Sequence, residues 1–87
     1  MRIKENYMLR KVSDTYVVVP VGAAVAEFNG MINLNEVGAF LWSYLEDEVT
    51  YDELLSAMLK NYEVDEEVAK ADLNRFIENL KENNLLK

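Results

Sequence analysis

The dipeptide Asn29-Gly30, then Met31-Ile32-Asn33-Leu34, then helix-forming sequence to the C-terminus constrains this chain more than any other feature. Both central positions of a type I′ turn need positive φ, and Asn-Gly supplies them with least strain. The pattern therefore predicts a small antiparallel sheet that hands directly over to a helical unit. One strand edge is then left beside a helix, where an extended backbone can pair.

Upstream, residues 7–12 mix apolar and basic side chains and read as a strand. Ser13-Asp14-Thr15 is turn chemistry, since each side chain can bond nearby backbone. Tyr16-Val17-Val18-Val19 is dense in β-branched residues and gives the clearest strand signal. Pro20 has no amide donor and Gly22 no side chain, so the strand should bend, bulge or break there. Extended chain is expected to resume at Ala23 and reach Phe28, making the second strand about 16–28 and the third 31–34. In the register set by the turn, Phe28 faces Met31, Glu27 faces Ile32, Ala26 faces Asn33 and Val25 faces Leu34. Alternation places Val25, Ile32 and Leu34 on the core face. Phe28 and Met31 fall on the other face, as a satellite cluster or part of a binding surface.

Asn35 is an expected N-cap, opening a helix over about 36–46. Val37, Phe40, Leu41, Tyr44 and Leu45, extended by Ala39 and Trp42, make it apolar nearly all round, the pattern of a helix at the centre of a core. Gly38 costs about 1 kcal/mol relative to alanine inside a helix, and a close approach to the sheet would account for it. Thr50-Tyr51-Asp52-Glu53 has capping-box spacing, with Val49 and Leu54 placed as a hydrophobic staple. A second helix follows over about 51–62, with Tyr51, Leu54, Leu55, Met58, Leu59 and Tyr62 on one stripe. Asp65 is the expected cap of a third helix over about 66–83, whose apolar face is Ala69, Leu73, Phe76, Ile77 and Leu80. Leu85 and Leu86 should fold back after Asn83-Asn84. The expected fold is α+β: a small winged-helix-like domain in which a three-stranded antiparallel sheet precedes a three-helix bundle. The whole chain, 1–87, is read as one such domain.

Composition narrows the function. The chain has 87 residues, no cysteine and no histidine. Thiolate metal sites, thiol nucleophiles, disulfides and the commonest general base are thereby removed together. Ser13, Ser43 and Ser56 have no histidine to activate them, and no Gly-rich phosphate loop occurs. The acidic runs Glu46-Asp47-Glu48 and Asp65-Glu66-Glu67 lack calcium-loop spacing and sit at helix boundaries, where the second favours a helix N-terminus. No catalytic residue, metal or cofactor is expected. A net charge of −7 opposes phosphate backbones and anionic membranes. Arg2 and Lys4 are not followed by the apolar run of a signal peptide. The stretch 16–26 is broken by Pro20 and Gly22 and is far shorter than the ~20 residues of a membrane span. A cytoplasmic location follows as the expectation. Helix order suggests a winged helix, but a recognition helix starting Asp65-Glu66-Glu67, with Asp72 one turn on, is a poor match for nucleic acid.

What remains is peptide capture by strand addition to the open edge of 31–34. On the third helix Lys70, Asn74 and Lys81 lie on the flank beside Leu73 and Ile77, whereas Asp72, Asn79 and Asn83 lie beside Phe76. If the basic flank borders the strand edge, the two enclose an apolar groove with a cationic rim; otherwise the lysines are a solvated face. The candidate peptide-binding residues are therefore Met31, Ile32, Asn33, Leu34, Lys70, Leu73, Asn74, Ile77 and Lys81. A nucleic-acid binder and a structural or homodimerising domain that pairs its own edges are the alternatives, with monomer or weak homodimer the expected state.

Several strings in the chain resemble the PqqD family: Tyr16-Val17-Val18-Val19-Pro20-Val21-Gly22, then Asn29 through Trp42 with its Leu34-Asn35 step into an apolar helix, Tyr62-Glu63-Val64-Asp65, and Asn84-Leu85-Leu86. The likeness covers nearly the whole chain. Members of that family are similar to the recognition elements of ribosomally made, modified peptide pathways. The resemblance implies a non-catalytic domain that binds a precursor's leader peptide as an added antiparallel strand, between its third strand and third helix. It then presents the core peptide to a modifying enzyme, often a radical S-adenosylmethionine enzyme. With no fused enzyme domain, this chain would act as a stand-alone adaptor.

Overall fold

The computed structural model describes residues 1–26 and 32–87. Three antiparallel strands, β1 (Tyr7–Val12), β2 (Thr15–Pro20) and β3 (Ile32–Leu34), precede three helices, α1 (Glu36–Leu45), α2 (Tyr51–Asn61) and α3 (Glu66–Glu82). The sheet order is β1-β2-β3, so β2 is central and β3 ends the sheet on the side of the helices. This is the expected α+β order.

Ser13 turns β1 into β2 with a φ of 58°. The strands then pair in register from Val12 opposite Thr15 to Tyr7 opposite Pro20. Pro20 ends β2, as its missing donor requires.

Beyond it the expectation fails. Residues 22–26 do not extend the strand but form a 3-10 turn, Gly22–Ala26. Gly22 adopts a φ of 59°, a conformation glycine reaches without strain, and so starts the turn. Ala23, Ala24 and Ala26 are poor strand formers and good helix formers, so local preference favours the tighter coil. The pairing of Val25 with Leu34 and of Ala26 with Asn33 is thus corrected. Val25 is 60% exposed, off the core face it was assigned to. β3 instead crosses back to the clear strand, with Tyr16 opposite Leu34, Val17 opposite Asn33 and Val18 opposite Ile32. The Asn29-Gly30 turn and the placement of Glu27, Phe28 and Met31 lie outside the described residues.

The helix starts follow local chemistry. Asn35 Oδ1 accepts the Gly38 amide at 2.8 Å. Thr50 and Glu53 exchange both capping-box bonds, at 2.9 and 3.1 Å. Asp65 occupies the N-cap position of α3 but its side chain makes no capping bond. The end of α3 is a Schellman motif: Asn84 has a φ of 58°, its amide reaches Lys81 O, and the Leu85 amide reaches Leu80 O at 2.9 Å. That turn swings Leu85 into the core with no exposure. Leu86 then bridges Ile3, and the Ile3 amide reaches Leu45 O at 2.9 Å, so both terminal segments close over the end of α1.

The core gathers Val18, Ile32 and Leu34 from the sheet, Leu41, Trp42 and Leu45 from α1, Leu54 and Met58 from α2, and Ala69, Leu73, Ile77 and Leu80 from α3. α1 is less central than its all-round apolar pattern suggests, because Tyr44 is 40% exposed. Phe40, half-buried, packs edge-on between Tyr44 and Tyr62. On α2 the stripe is shifted by one side: Ala57 is buried and Leu59 exposed.

Gly38 explains its own cost. A Cβ there would stand 3.2 Å from Leu34 Cβ, so the missing side chain lets the first turn of α1 rest on β3. Replacing Gly38 with valine should therefore lower stability by about 1–3 kcal/mol through overpacking. Urea unfolding would measure it, and a valine variant at least as stable as the parent would refute the close packing of α1 on β3.

Candidate functional site

β3 pairs with β2 along one edge, and among the described residues no strand covers the other. Ile32 and Leu34 point into the core at 8% and 6% exposure, while Asn33 between them is exposed. Alternation therefore fixes the strand from one face and leaves its backbone edge as the part presented outward.

Beside that edge lies a groove of about 550 Å³ between β3, the start of α1 and one flank of α3. Its floor is apolar: Leu34, Val37, Gly38, Leu41 and Phe76. Phe76 is half-buried and packs against the core. The rim is polar, with the carboxylates of Asp72, Glu78 and Glu82, the amides of Asn33, Asn35 and Asn79 and, among the described residues, a single cation, Arg75. Arg75 Nη1 lies 3.4 Å from Asp72 Oδ1, one turn away on the same helix. Asn79 Oδ1 already accepts a bond from Asn83 Nδ2 at 2.9 Å. Among the described residues, no hydrogen bond engages the Asn33 side chain.

The sequence-based site divides between two sides of α3. Ile32, Asn33 and Leu34 stand at the strand edge as expected, and Met31 lies outside the described residues. The cationic rim does not: the flank facing β3 carries Asp72, Phe76 and Asn79, not Lys70, Asn74 and Lys81. The physical reason is the packing of α3. Leu73 is fully buried and Ile77 is 7% exposed, so these two form the underside of the helix and neither lines the groove. Lys70, Asn74 and Lys81 sit roughly 160–200° around the helix from Asp72 at 100° per residue. That flank belongs with α2, where the Tyr51 hydroxyl donates to Asn74 Oδ1 at 2.8 Å. Asn74, Ile77 and Lys81 line a separate cavity of about 460 Å³ with Met1, Tyr51, Leu86 and Lys87. The helical pattern had exposed both flanks. The signal for the correct one was Phe76, a large aromatic at the margin of the apolar face, which needs a wall to stand against.

Among the described residues, no group of carboxylates is placed to hold a metal ion, and no helix is long and apolar enough to cross a membrane. Tyr62, whose phenol is raised above its ordinary range by burial with a smaller push from Glu36, packs against Phe40 away from the groove. The start of α3 presents Glu66 and Glu67, both exposed, a poor surface for phosphates.

The family described as Coenzyme PQQ synthesis protein D (PqqD) matches residues 12–86. The chain belongs to the PqqD family. Among solved structures, the chain is similar to one described as TbiB1 in complex with the TbiA(beta) leader peptide. The two share 25% identity with a TM-score of 0.77, covering 100% of this chain and 95% of the other. No curated protein matches.

The Tyr51–Asn74 bond gives one check on how α3 is oriented. Tyr51→Phe should cost about 0.5–1 kcal/mol of stability while leaving the chemical shifts of Ile32, Asn33 and Leu34 unchanged. Shifts that moved at β3 would place that bond on the groove side, against the geometry above.

Proposed function

We propose that this chain is a non-catalytic peptide-binding adaptor, which captures the leader of a precursor peptide as an added strand on β3 and presents the rest to a modifying enzyme. The observation that carries the reading is the edge of Ile32–Leu34, which no strand covers among the described residues, opening onto an apolar groove walled by α3. Family membership and the likeness to a leader-bound structure support it.

The mechanism is one of backbone pairing. An edge strand offers alternating amides and carbonyls that a peptide satisfies without regard to its sequence, while pockets for alternate side chains supply selection. Ile32, Asn33 and Leu34 would set the register. Every second side chain of the guest would face Leu34, Val37, Leu41 and Phe76. Leu73 and Ile77 would act from beneath, holding α3 at the width a strand needs. Lys70, Asn74 and Lys81, on the far flank, are then positioned for a second contact beyond the groove and not for the added strand itself. The enzyme partner we favour is a radical S-adenosylmethionine protein, on the strength of the family likeness. The chain would work in the cytoplasm as a monomer or weak homodimer.

Strand addition has a signature that other binding modes lack. In an added strand, alternate guest amides face β3 and the rest face solvent. With the leader of an adjacent precursor, N-methylation at every second residue should weaken binding tenfold or more, and methylation at the intervening residues should change it little. Amide shifts in an NMR titration should cluster at Ile32, Asn33 and Leu34. Loss without that period of two, or shifts confined to the Lys70–Lys81 side, would rule out capture on β3.

A further inference from the structure

The charge around the groove is opposite to that of a site for acidic peptides. Asp72, Glu78 and Glu82 line it against one guanidinium, that of Arg75. Arg75 Nη1 lies 3.4 Å from the Asp72 carboxylate in a solvent-exposed pair, so the groove keeps an excess of negative charge, three carboxylates to one guanidinium. The far flank of α3 carries Lys70 and Lys81, and the cavity there is bordered by Lys81, by Glu78 and by Lys87, whose ammonium is 3.6 Å from the Glu5 carboxylate. The acidic and basic side chains of α3 thus fall on different flanks, and the strand edge lies on the side of Asp72 and Glu82.

On the adaptor reading, we infer that the groove selects a cationic leader segment: an extended peptide with an apolar or aromatic anchor and lysine or arginine close to it in sequence. The anchor fills the floor formed by Leu34, Val37, Leu41 and Phe76. A lysine or arginine on the α3 side lays its methylene stem along Phe76 and carries its charged head out to Asp72 or Glu82. The half-buried Phe76 ring adds a cation–π contact on the way. A glutamate or aspartate at the same position meets carboxylates within a few ångströms, and like charges so juxtaposed disfavour the wrong partner as strongly as opposite charges favour the right one. The net charge of −7 acts in the same direction at longer range, drawing a basic peptide in faster than a neutral one. Glu78 lines both cavities and stands on the ridge between them. Asp72 and Glu82 border only the strand-side groove, which makes them the discriminating residues.

Three blocked, strand-length synthetic peptides test this: repeats of Val-Thr-Xaa-Thr in which Xaa is lysine, glutamate or threonine, so that the valine anchor and Xaa fall on the same face. Titrated into the full chain at low salt and followed by both affinity and amide shifts, the lysine peptide should bind about tenfold tighter than the glutamate peptide. The threonine peptide should fall between them, and the lysine advantage should shrink as salt is raised. Asp72→Asn and Glu82→Gln should each weaken the lysine peptide about two- to fivefold, whereas Lys81→Gln on the far flank should leave its preference in place. These carboxylates are exposed, so the variants should fold like the parent, and circular dichroism would confirm it. Tighter binding of the glutamate peptide, or equal binding of all three, with shifts still at Ile32–Leu34, would overturn the charge selection and leave the adaptor reading standing. A glutamate peptide whose shifts map to Lys81 and Lys87 would move the selective site to the other side of α3 and overturn it too. No binding and no shift at Ile32–Leu34 with any peptide would overturn both.

Discussion

The contact between Leu34 and the bare backbone of Gly38 is the constraint on which the site depends. β3 has only three residues, too few to hold itself out as an edge by ladder hydrogen bonds alone. It is held by burial: Ile32 and Leu34 sink into the core, and the first turn of α1 rests so closely on Leu34 that a Cβ at Gly38 would come within 3.2 Å of Leu34 Cβ. Glycine inside that turn costs about 1 kcal/mol relative to alanine, and the Asn35 cap one turn earlier offsets it by a similar ~1 kcal/mol. What results is an edge fixed before any guest arrives, so that a peptide need only order itself. The hazard of such an edge, uncontrolled pairing with other chains, is limited by its shortness and by the polar Asn33 between its two anchors.

Rigidity on the opposite wall comes from the ends of the chain. Ala69, Leu73 and Leu80 have no exposure, so α3 cannot rotate about its axis without surfacing leucine. The Schellman turn at Asn84 pins Leu85 beneath the helix, and the Ile3–Leu86 bridge ties the N-terminal segment across it. Tyr51 fixes the remaining side through Asn74. These contacts decide which flank of α3 meets β3, and therefore the sign of the charge a peptide encounters there.

That division also explains what could be read from the sequence. The helices were legible because their signals are local: Asn35 with Gly38, Thr50 with Glu53 and Asn83-Asn84 each act within four or five residues. β1 and the first part of β2 were legible for the same reason, from β-branched residues and turn chemistry. The partner of β3 was not. Asn29-Gly30 argued for pairing with the segment just before it, but Gly22 and three alanines turn that segment into a 3-10 coil, and β3 finds Val18 instead. A rule for adjacent strands has no term for a strand that pairs past its neighbour. The orientation of α3 failed similarly: a helical pattern separates two flanks but does not say which one the sheet occupies. The apolar face itself, from Ala69 to Leu80, was readable because burial imposes it on the sequence.

Three edge residues set a limit on what backbone pairing can do. Each hydrogen bond exchanged with water contributes about 1 kcal/mol net, so the edge alone falls well short of the ~8 kcal/mol of a micromolar complex. Association also costs several kcal/mol of lost freedom. The remainder must come from apolar surface, at about 25 cal/mol per Å², and the floor built from Leu34, Val37, Leu41 and Phe76 is where the groove offers it. On the proposed reading, backbone pairing would set direction and register, the floor would provide most of the affinity, and the carboxylates of Asp72 and Glu82 would act on whichever guest residues flank the anchor. A guest lacking the anchor would pair with the right edge and still not stay.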